Sequence, residues 1–162
     1  MRKIYSTLLD VSFAHTGGCL SVVLPQKEKE IDDVIKERID LFVTGTEIKD
    51  VSEESREKIE VLSYLLSSPT NKLTSFFKIE EPLRKEILSL DGATVVSVDG
   101  DFYCAGSIVA VGGGSSGGGR TAAAKKLAQY GVGIKVSEDG YIEAYGLNLS
   151  DTNTTSRIIP IF

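Results

Sequence analysis

The feature of this sequence that most restricts its fold is the order of strand, glycine-rich segment and helix near residue 112. Residues 112–119 read Gly-Gly-Gly-Ser-Ser-Gly-Gly-Gly. The apolar run Phe102–Val111 before them predicts a strand, and the alanine-rich run Arg120–Tyr130 after them predicts a helix. Free backbone N–H groups at the start of a helix form an anion site, because the positive end of the helix dipole lies there. Composition alone equally fits a flexible surface loop.

The other patterns along the chain predict one mixed α/β domain. Apolar runs rich in β-branched residues predict strands, and amphipathic runs predict helices that pack on a sheet. Strands are predicted at 19–24, 93–98, 102–111, 133–137 and 141–145, and helices at the N-terminus and at 31–42, 52–66, 82–88 and 120–130. Their order predicts a single domain with a central mixed β-sheet flanked by helices. We place this domain at residues 1–146, followed by a C-terminal tail at 147–162.

The acidic balance of the chain disfavours some partners. The net charge is −5, from 18 Lys and Arg against 23 Asp and Glu. A protein that binds duplex nucleic acid needs a broad basic face, so we expect no duplex nucleic acid as a partner. A nucleotide pocket needs only local positive charge. No apolar run reaches the roughly 18 residues of a membrane span, so we expect no membrane association and a cytoplasmic location.

The cysteines and the histidine offer few metal ligands. Cys19 and Cys104 lie far apart in apolar surroundings, and they are predicted to be buried thiols rather than zinc ligands or a redox pair. The single histidine, His15, excludes metal sites that need several imidazoles. It is predicted to be exposed or to cap a helix. Phe76 and Phe77 are predicted to be core residues rather than a platform for a nucleobase.

The segment Gly114–Thr121 is close to the phosphate-binding loop of nucleotide hydrolases, with Arg120 at the position of the lysine. Hydrolases of that class continue for several further strand-helix units and supply a second, metal-binding aspartate. Only residues 122–162 follow this segment, which leaves no room for those units. A nucleotide hydrolase is therefore not the predicted function.

Two short acidic motifs accompany the predicted strands. Asp91-Gly92-Ala93 opens one strand, where an acidic residue next to glycine can hold a metal ion or a sugar hydroxyl beside the backbone. Ser137-Glu138 stands at the end of a later strand. Taken singly, each motif is also ordinary turn chemistry.

Together and in this order, the three segments resemble the diadenylate cyclase domain, which makes cyclic di-AMP from two ATP molecules. That family carries Asp-Gly-Ala, Arg-His-Arg and Ser-Glu motifs, and here the first and last are matched by Asp91-Gly92-Ala93 and Ser137-Glu138. Upstream, Thr16–Val23 resembles the family's early Gly-Ala-Leu-Ile-Val strand. The resemblance spans about residues 1–146 and implies a diadenylate-cyclase-like fold.

The resemblance also implies roles for individual residues. Asp91 would assist the ribose 3′-hydroxyl and hold a metal ion, and Glu138 would support that metal, so both would be catalytic in an active enzyme. Mg or Mn would enter only as a complex with the nucleotide. The implied nucleotide-binding residues are Gly92, Ala93, Gly117, Gly118, Gly119, Arg120, Thr121 and Ser137.

The departure from the family pattern lies in the Arg-His-Arg motif. Gly118, Gly119 and Arg120 stand where those three residues would be, so only the last arginine is kept. Each lost side chain removes charge-assisted contacts to phosphate worth about 1.5 to 3 kcal/mol. Transition-state stabilisation would suffer most. This combination resembles divergent relatives of the cyclases that are proposed to be nucleotide sensors.

We therefore predict a sensor domain that binds an adenine nucleotide or a cyclic dinucleotide. The alternative is an active diadenylate cyclase whose glycine loop binds triphosphate through backbone N–H groups. Cyclases of this family work with two sites face to face, so a homo-oligomer is expected for an enzyme and optional for a sensor. A third class is an interaction domain without a ligand, which no nucleotide would stabilise against unfolding.

Overall fold

The structure is a computed structural model that describes residues 2–27, 30, 75–107, 109 and 118–146. Four of the predictions fall outside the described residues: the two helices at 31–42 and 52–66, most of the glycine-rich segment including Gly117, and the tail at 147–162. The division of the chain at residue 146 stays a prediction.

A five-stranded mixed β-sheet forms the centre of the fold. Its strands are β1 (Gly18–Val23), β2 (Ala93–Ser97), β3 (Phe102–Ser107), β4 (Gly131–Val136) and β5 (Ile142–Gly146), in the order β3-β2-β1-β4-β5. β1 pairs in parallel with β2, and the remaining neighbours are antiparallel. The β2–β3 hairpin turns at Asp99-Gly100, where Gly100 takes a φ of 84°. The predicted central mixed sheet is confirmed.

Three α-helices within the described ranges cover the two faces of this sheet. They are α1 (Arg2–Ala14), α2 (Glu81–Leu88) and α3 (Gly118–Leu127). α2 begins with Pro82 in its first turn, where the missing N–H removes no helical hydrogen bond. α3 begins at Gly118, two residues before the predicted start, so the end of the glycine-rich segment forms its first turn. None of the described helices is long and apolar enough to cross a membrane.

The alternation of side chains along β1 divides the core into two layers. Cys19 and Val23 pack with the alanines and Leu127 of α3, whereas Leu20 packs with Leu8 of α1 on the opposite face. This period of two is what a strand buried on both faces requires. Both cysteines of the chain are buried thiols outside any disulfide, as predicted. Phe76 is fully buried beneath α1, which confirms its assignment to the core.

The contact between α3 and β4 is unusually close because β4 carries a glycine beneath the helix. A Cβ atom added at Gly133 would lie 1.9 Å from the carbonyl oxygen of Ala124. Ala123 and Ala124 in α3 are small, so the helix backbone comes down onto the sheet at this point. The depth and direction of α3 are therefore set by backbone contact rather than by large side chains.

We expect Gly133→Ala to lower the free energy of unfolding by about 2–4 kcal/mol, because the new methyl group overlaps the helix backbone. Gly146→Ala in β5 is the matched control, since a Cβ there meets none of the described residues within 4 Å. It should change stability by less than about 0.5 kcal/mol. Urea unfolding of both variants measures this, and equal losses would contradict the close contact.

Candidate functional site

Several of the sequence-predicted residues converge at one end of the sheet. β1 and β2 begin there, while β3 and β4 end there, as the pairings of Gly18 with Val136 and of Ala93 with Ser107 show. The segments just before β1 and β2 and just after β4 are therefore neighbours. We call this region, which includes Gly17, Asp91 and Glu138, the site end of the sheet.

The first turn of α3 also lies at the site end. α3 packs along β4, and the short 3₁₀ turn Ala128–Tyr130 connects its C-terminus to the far end of that strand. The helix therefore runs antiparallel to β4 and starts where β4 ends. Arg120 Nη1 donates to Glu138 Oε1 at 2.8 Å. Two residues that were predicted from separate motifs thus form an ion pair.

Gly17 lies directly against this ion pair. No motif in the sequence marks it as a site residue. It has a φ of 70°, and a Cβ there would lie 2.9 Å from Arg120 Nη1 and 3.2 Å from Glu138 Cγ. The guanidinium therefore crosses directly over the backbone at Gly17. The pair Gly17-Gly18 before a buried strand was the available signal in the sequence, but such a pair is also typical of an ordinary turn before a strand.

The two members of the ion pair differ in exposure. The side chain of Arg120 is 28% exposed and that of Glu138 is 69% exposed. Arg120 Nε is buried and has no hydrogen-bond partner among the described residues, and the same holds for the hydroxyl of Thr121. The guanidinium is therefore held against the protein, and its Nε–H has no acceptor among the described residues.

Asp91 and its two neighbours occupy the same end of the sheet. Asp91 is exposed, whereas Ala93 is fully buried at the start of β2. Gly92 has a φ of 106°, and a Cβ there would lie 2.6 Å from the backbone of Gly106. This position therefore needs glycine on two grounds, conformation and space. Gly92 thus lets the backbone of β3 pass close beside it, and the predicted binding roles of Asp91, Gly92 and Ala93 stay predictions.

Ser137 is engaged within the β4–β5 turn. Its hydroxyl donates to the carbonyl oxygen of Tyr141 at 3.1 Å and accepts from the N–H of Tyr141 at 3.1 Å. These bonds close the turn that carries Glu138. The hydroxyl thus has a structural role, and binding of a nucleotide by Ser137 stays a prediction.

His15 ends α1 and reaches the same turn. It takes a left-handed φ of 55°, and its N–H bonds to the carbonyl oxygen of Ser12. Its Nδ1 lies 2.8 Å from the backbone oxygen of Glu138, while the Ser12 hydroxyl donates to the Gly140 oxygen at 2.5 Å. The predicted capping role is confirmed. Through these hydrogen bonds, the C-terminal end of α1 holds the β4–β5 turn that carries Glu138.

The carboxylates at the site end are too few to hold a metal ion unaided. Among the residues that the structure describes, no three His, Cys, Asp or Glu side chains group as metal ligands. Mg²⁺ is commonly held by one or two carboxylates together with phosphate oxygens and water. Asp91 and Glu138 lie at the same end of the sheet, and their joint role in holding a metal ion together with phosphate stays a prediction.

Cys19 lies beneath the site end, on the α3 side of β1. Burial raises the pKa of its thiol from 9.0 to about 12, and the nearby charge of Arg120 offsets only part of that rise. A thiol in this state is neutral at physiological pH and is no nucleophile. Cys19 therefore serves as packing under α3.

The thiol of Cys19 makes stability depend on pH in the alkaline range. Its pKa is higher in the folded protein, about 12 against 9.0, so its contribution is complete below pH 9 and is lost as the unfolded chain deprotonates. We expect a loss of about 1.4 kcal/mol between about pH 8 and pH 10. Urea unfolding across this range measures it. Cys19→Ala should flatten this part of the profile, and an unchanged slope would contradict the assignment.

We expect Gly17→Ala to destabilise the protein more than Gly118→Ala. Both positions have left-handed φ, 70° and 77°, and each alanine costs about 1–2 kcal/mol for that reason. A Cβ at Gly118 meets none of the described residues within 4 Å. One at Gly17 would crowd both Arg120 Nη1 and Glu138 Cγ and so disturb their ion pair. The difference should disappear when both variants are made in an Arg120→Ala background. Thermal unfolding measures the four variants, and a difference that persists would place its cause elsewhere.

No family model matches the chain, and no curated protein matches it. Two solved structures show a distant likeness in fold. A hypothetical membrane-spanning protein from Bacillus cereus has a TM-score of 0.48 at 17% identity, over 91% of this chain and 59% of that protein. DacA from Staphylococcus aureus, solved as a double mutant, has a TM-score of 0.45 at 12% identity, over 88% of this chain and 78% of that protein. Likeness at this level says nothing about function. The functional proposal below rests on the residues at the site end.

Proposed function

We propose that this protein is a sensor domain that binds an adenine nucleotide or a cyclic dinucleotide at the site end of its sheet. The observation that carries the proposal is the convergence of Asp91, Arg120 and Glu138. These residues come from three separate segments at one end of the sheet. Arg120 in the first turn of α3 pairs with Glu138, and Asp91 precedes β2, which β1 separates from β4. This is the arrangement that binding of an anion together with a sugar hydroxyl or a cation requires.

The start of α3 supplies the anion-binding part of the proposed site. The first N–H groups of a helix lack helical acceptors, and the dipole favours negative charge there. Gly118 and Gly119 are exposed, and a Cβ at either would meet none of the described residues within 4 Å. Within the described part of the chain, nothing therefore blocks the approach of a phosphate to the backbone at Gly119. Arg120 adds a fixed positive charge in the same turn.

Asp91 supplies the second part. Its exposed carboxylate lies at the start of β2, across the site end from the β4–β5 turn. There it can accept a hydrogen bond from a ribose hydroxyl, or hold Mg or Mn that a nucleotide brings with its phosphates. Glu138 is the other carboxylate available to such a metal once it leaves Arg120.

A sensor agrees better than a synthase with the charge at this site. Arg120 alone remains of the three basic or imidazole side chains that the cyclase family presents to phosphate, and it is paired with Glu138. Preorganised positive charge on the reacting phosphate is the main catalytic device in phosphoryl transfer. The active cyclase remains the alternative outcome of the experiment below.

We expect Arg120→Ala to weaken the binding of ATP and of cyclic di-AMP about tenfold or more, because a charge-assisted contact to phosphate is lost. Lys126→Ala is the matched control, since it removes the same charge from an exposed position at the other end of α3. Asp91→Asn should weaken only the part of binding that needs Mg²⁺. Isothermal titration calorimetry with and without Mg²⁺ measures all three variants.

The alternatives are separated by two further results. Mass spectrometry after long incubation with ATP and Mn²⁺ or Mg²⁺ should show no cyclic di-AMP, with a known cyclase active in parallel. Product that forms only when Asp91 is intact would make the protein a cyclase. Absence of binding to every adenine nucleotide tested would overturn the nucleotide site and leave an interaction domain.

A further inference from the structure

We infer that Glu138 sets the affinity of the site as an internal competitor, whose carboxylate occupies the place of a ligand phosphate on Arg120. This inference rests on the proposed function and assigns a regulatory role to a residue that family resemblance makes only a metal ligand. It predicts that removal of the Glu138 charge strengthens the binding of a metal-free anion.

The contact itself motivates the inference. Glu138 Oε1 lies 2.8 Å from Arg120 Nη1, the distance of a charge-assisted hydrogen bond. Carboxylate and phosphate oxygens are alternative acceptors for the same guanidinium donors. A phosphate that binds at the start of α3 and uses Arg120 must therefore displace the carboxylate or share the guanidinium with it.

The two side chains are held unequally, which decides which of them moves. Arg120 is 28% exposed and crosses over the backbone of Gly17, where a Cβ would lie 2.9 Å from its Nη1. Glu138 is 69% exposed on a turn. The guanidinium is therefore fixed in place for a ligand, and the carboxylate is the partner free to leave.

Two buried polar atoms in the first turn of α3 have no hydrogen-bond partner among the residues that the structure describes. Within the described ranges, Arg120 Nε and Thr121 Oγ1 are buried without a hydrogen-bond partner. Thr121 is only 7% exposed, so bulk water does not serve its hydroxyl. Buried polar groups of this kind normally bind water or a ligand.

The strength of the competition follows from the exposure of the pair. An ion pair with one well-exposed member is only slightly more stable than its separated partners. A competitor of that strength weakens ligand binding by about two- to fivefold. We therefore expect Glu138→Gln to bind tripolyphosphate and ATP about two- to fivefold more tightly than the native chain in EDTA, where no divalent metal contributes.

Two controls separate competition from a general change in charge. Asp139→Asn removes the same charge from the next residue, which is also exposed and forms no ion pair with Arg120 in the described part of the chain. It should give a clearly smaller gain. In an Arg120→Ala background, Glu138→Gln should give no larger gain than Asp139→Asn gives, because the guanidinium for which carboxylate and phosphate compete is absent.

Isothermal titration calorimetry with tripolyphosphate and with ATP, both in EDTA, tests the inference, and thermal unfolding checks that each variant is folded. Equal gains in affinity from Glu138→Gln and Asp139→Asn, or no gain from Glu138→Gln, would overturn the role of Glu138 as a competitor. Binding of ATP by the native chain would still support the nucleotide site in that case. Binding seen only in Glu138→Gln would support the competitor. Absence of binding by the native chain and by Glu138→Gln would overturn both proposals.

Discussion

The parallel pairing of β1 with β2 is the constraint on which the rest of the structure depends. Leu20 pairs with Thr94 and Val23 pairs with Ser97, so both strands begin at the same end of the sheet. Parallel neighbours need a long connection, and here residues 24–92 provide it. β4 pairs antiparallel on the other side of β1 and brings Glu138 to that same end. Residues distant in the sequence become neighbours for this topological reason.

Local patterns were sufficient to predict most of the described elements. Strands were predicted from apolar runs rich in β-branched residues, and helices from amphipathic runs. These signals act over a few residues, so they need no knowledge of distant partners. The start of α3 was placed two residues too late, because the low helix propensity of glycine favoured a start at Arg120.

Contacts at the site end were harder to predict because they join separate segments. The motifs supplied Asp91, Arg120 and Glu138 as candidates, and only the fold shows that Arg120 pairs with Glu138. Gly17 was missed for a related reason. A glycine before a strand is usually read as a turn, and its closeness to a side chain more than 100 residues away has no local signature. His15 likewise gave a cap signal but none for its contact with the turn.

The walls of the site end are made of backbone. A Cβ at Gly18 would lie 2.5 Å from the Leu88 oxygen, and one at Gly92 would lie 2.6 Å from Gly106, so neither position tolerates a larger residue. Substitution at these two glycines can therefore change the shape of this region very little, whereas its negative charge resides in Asp91 and Glu138, which are exposed. A scaffold of this kind can acquire a different ligand preference through one or two charge changes without being refolded, and related chains with this fold can diverge in ligand while they keep their glycines.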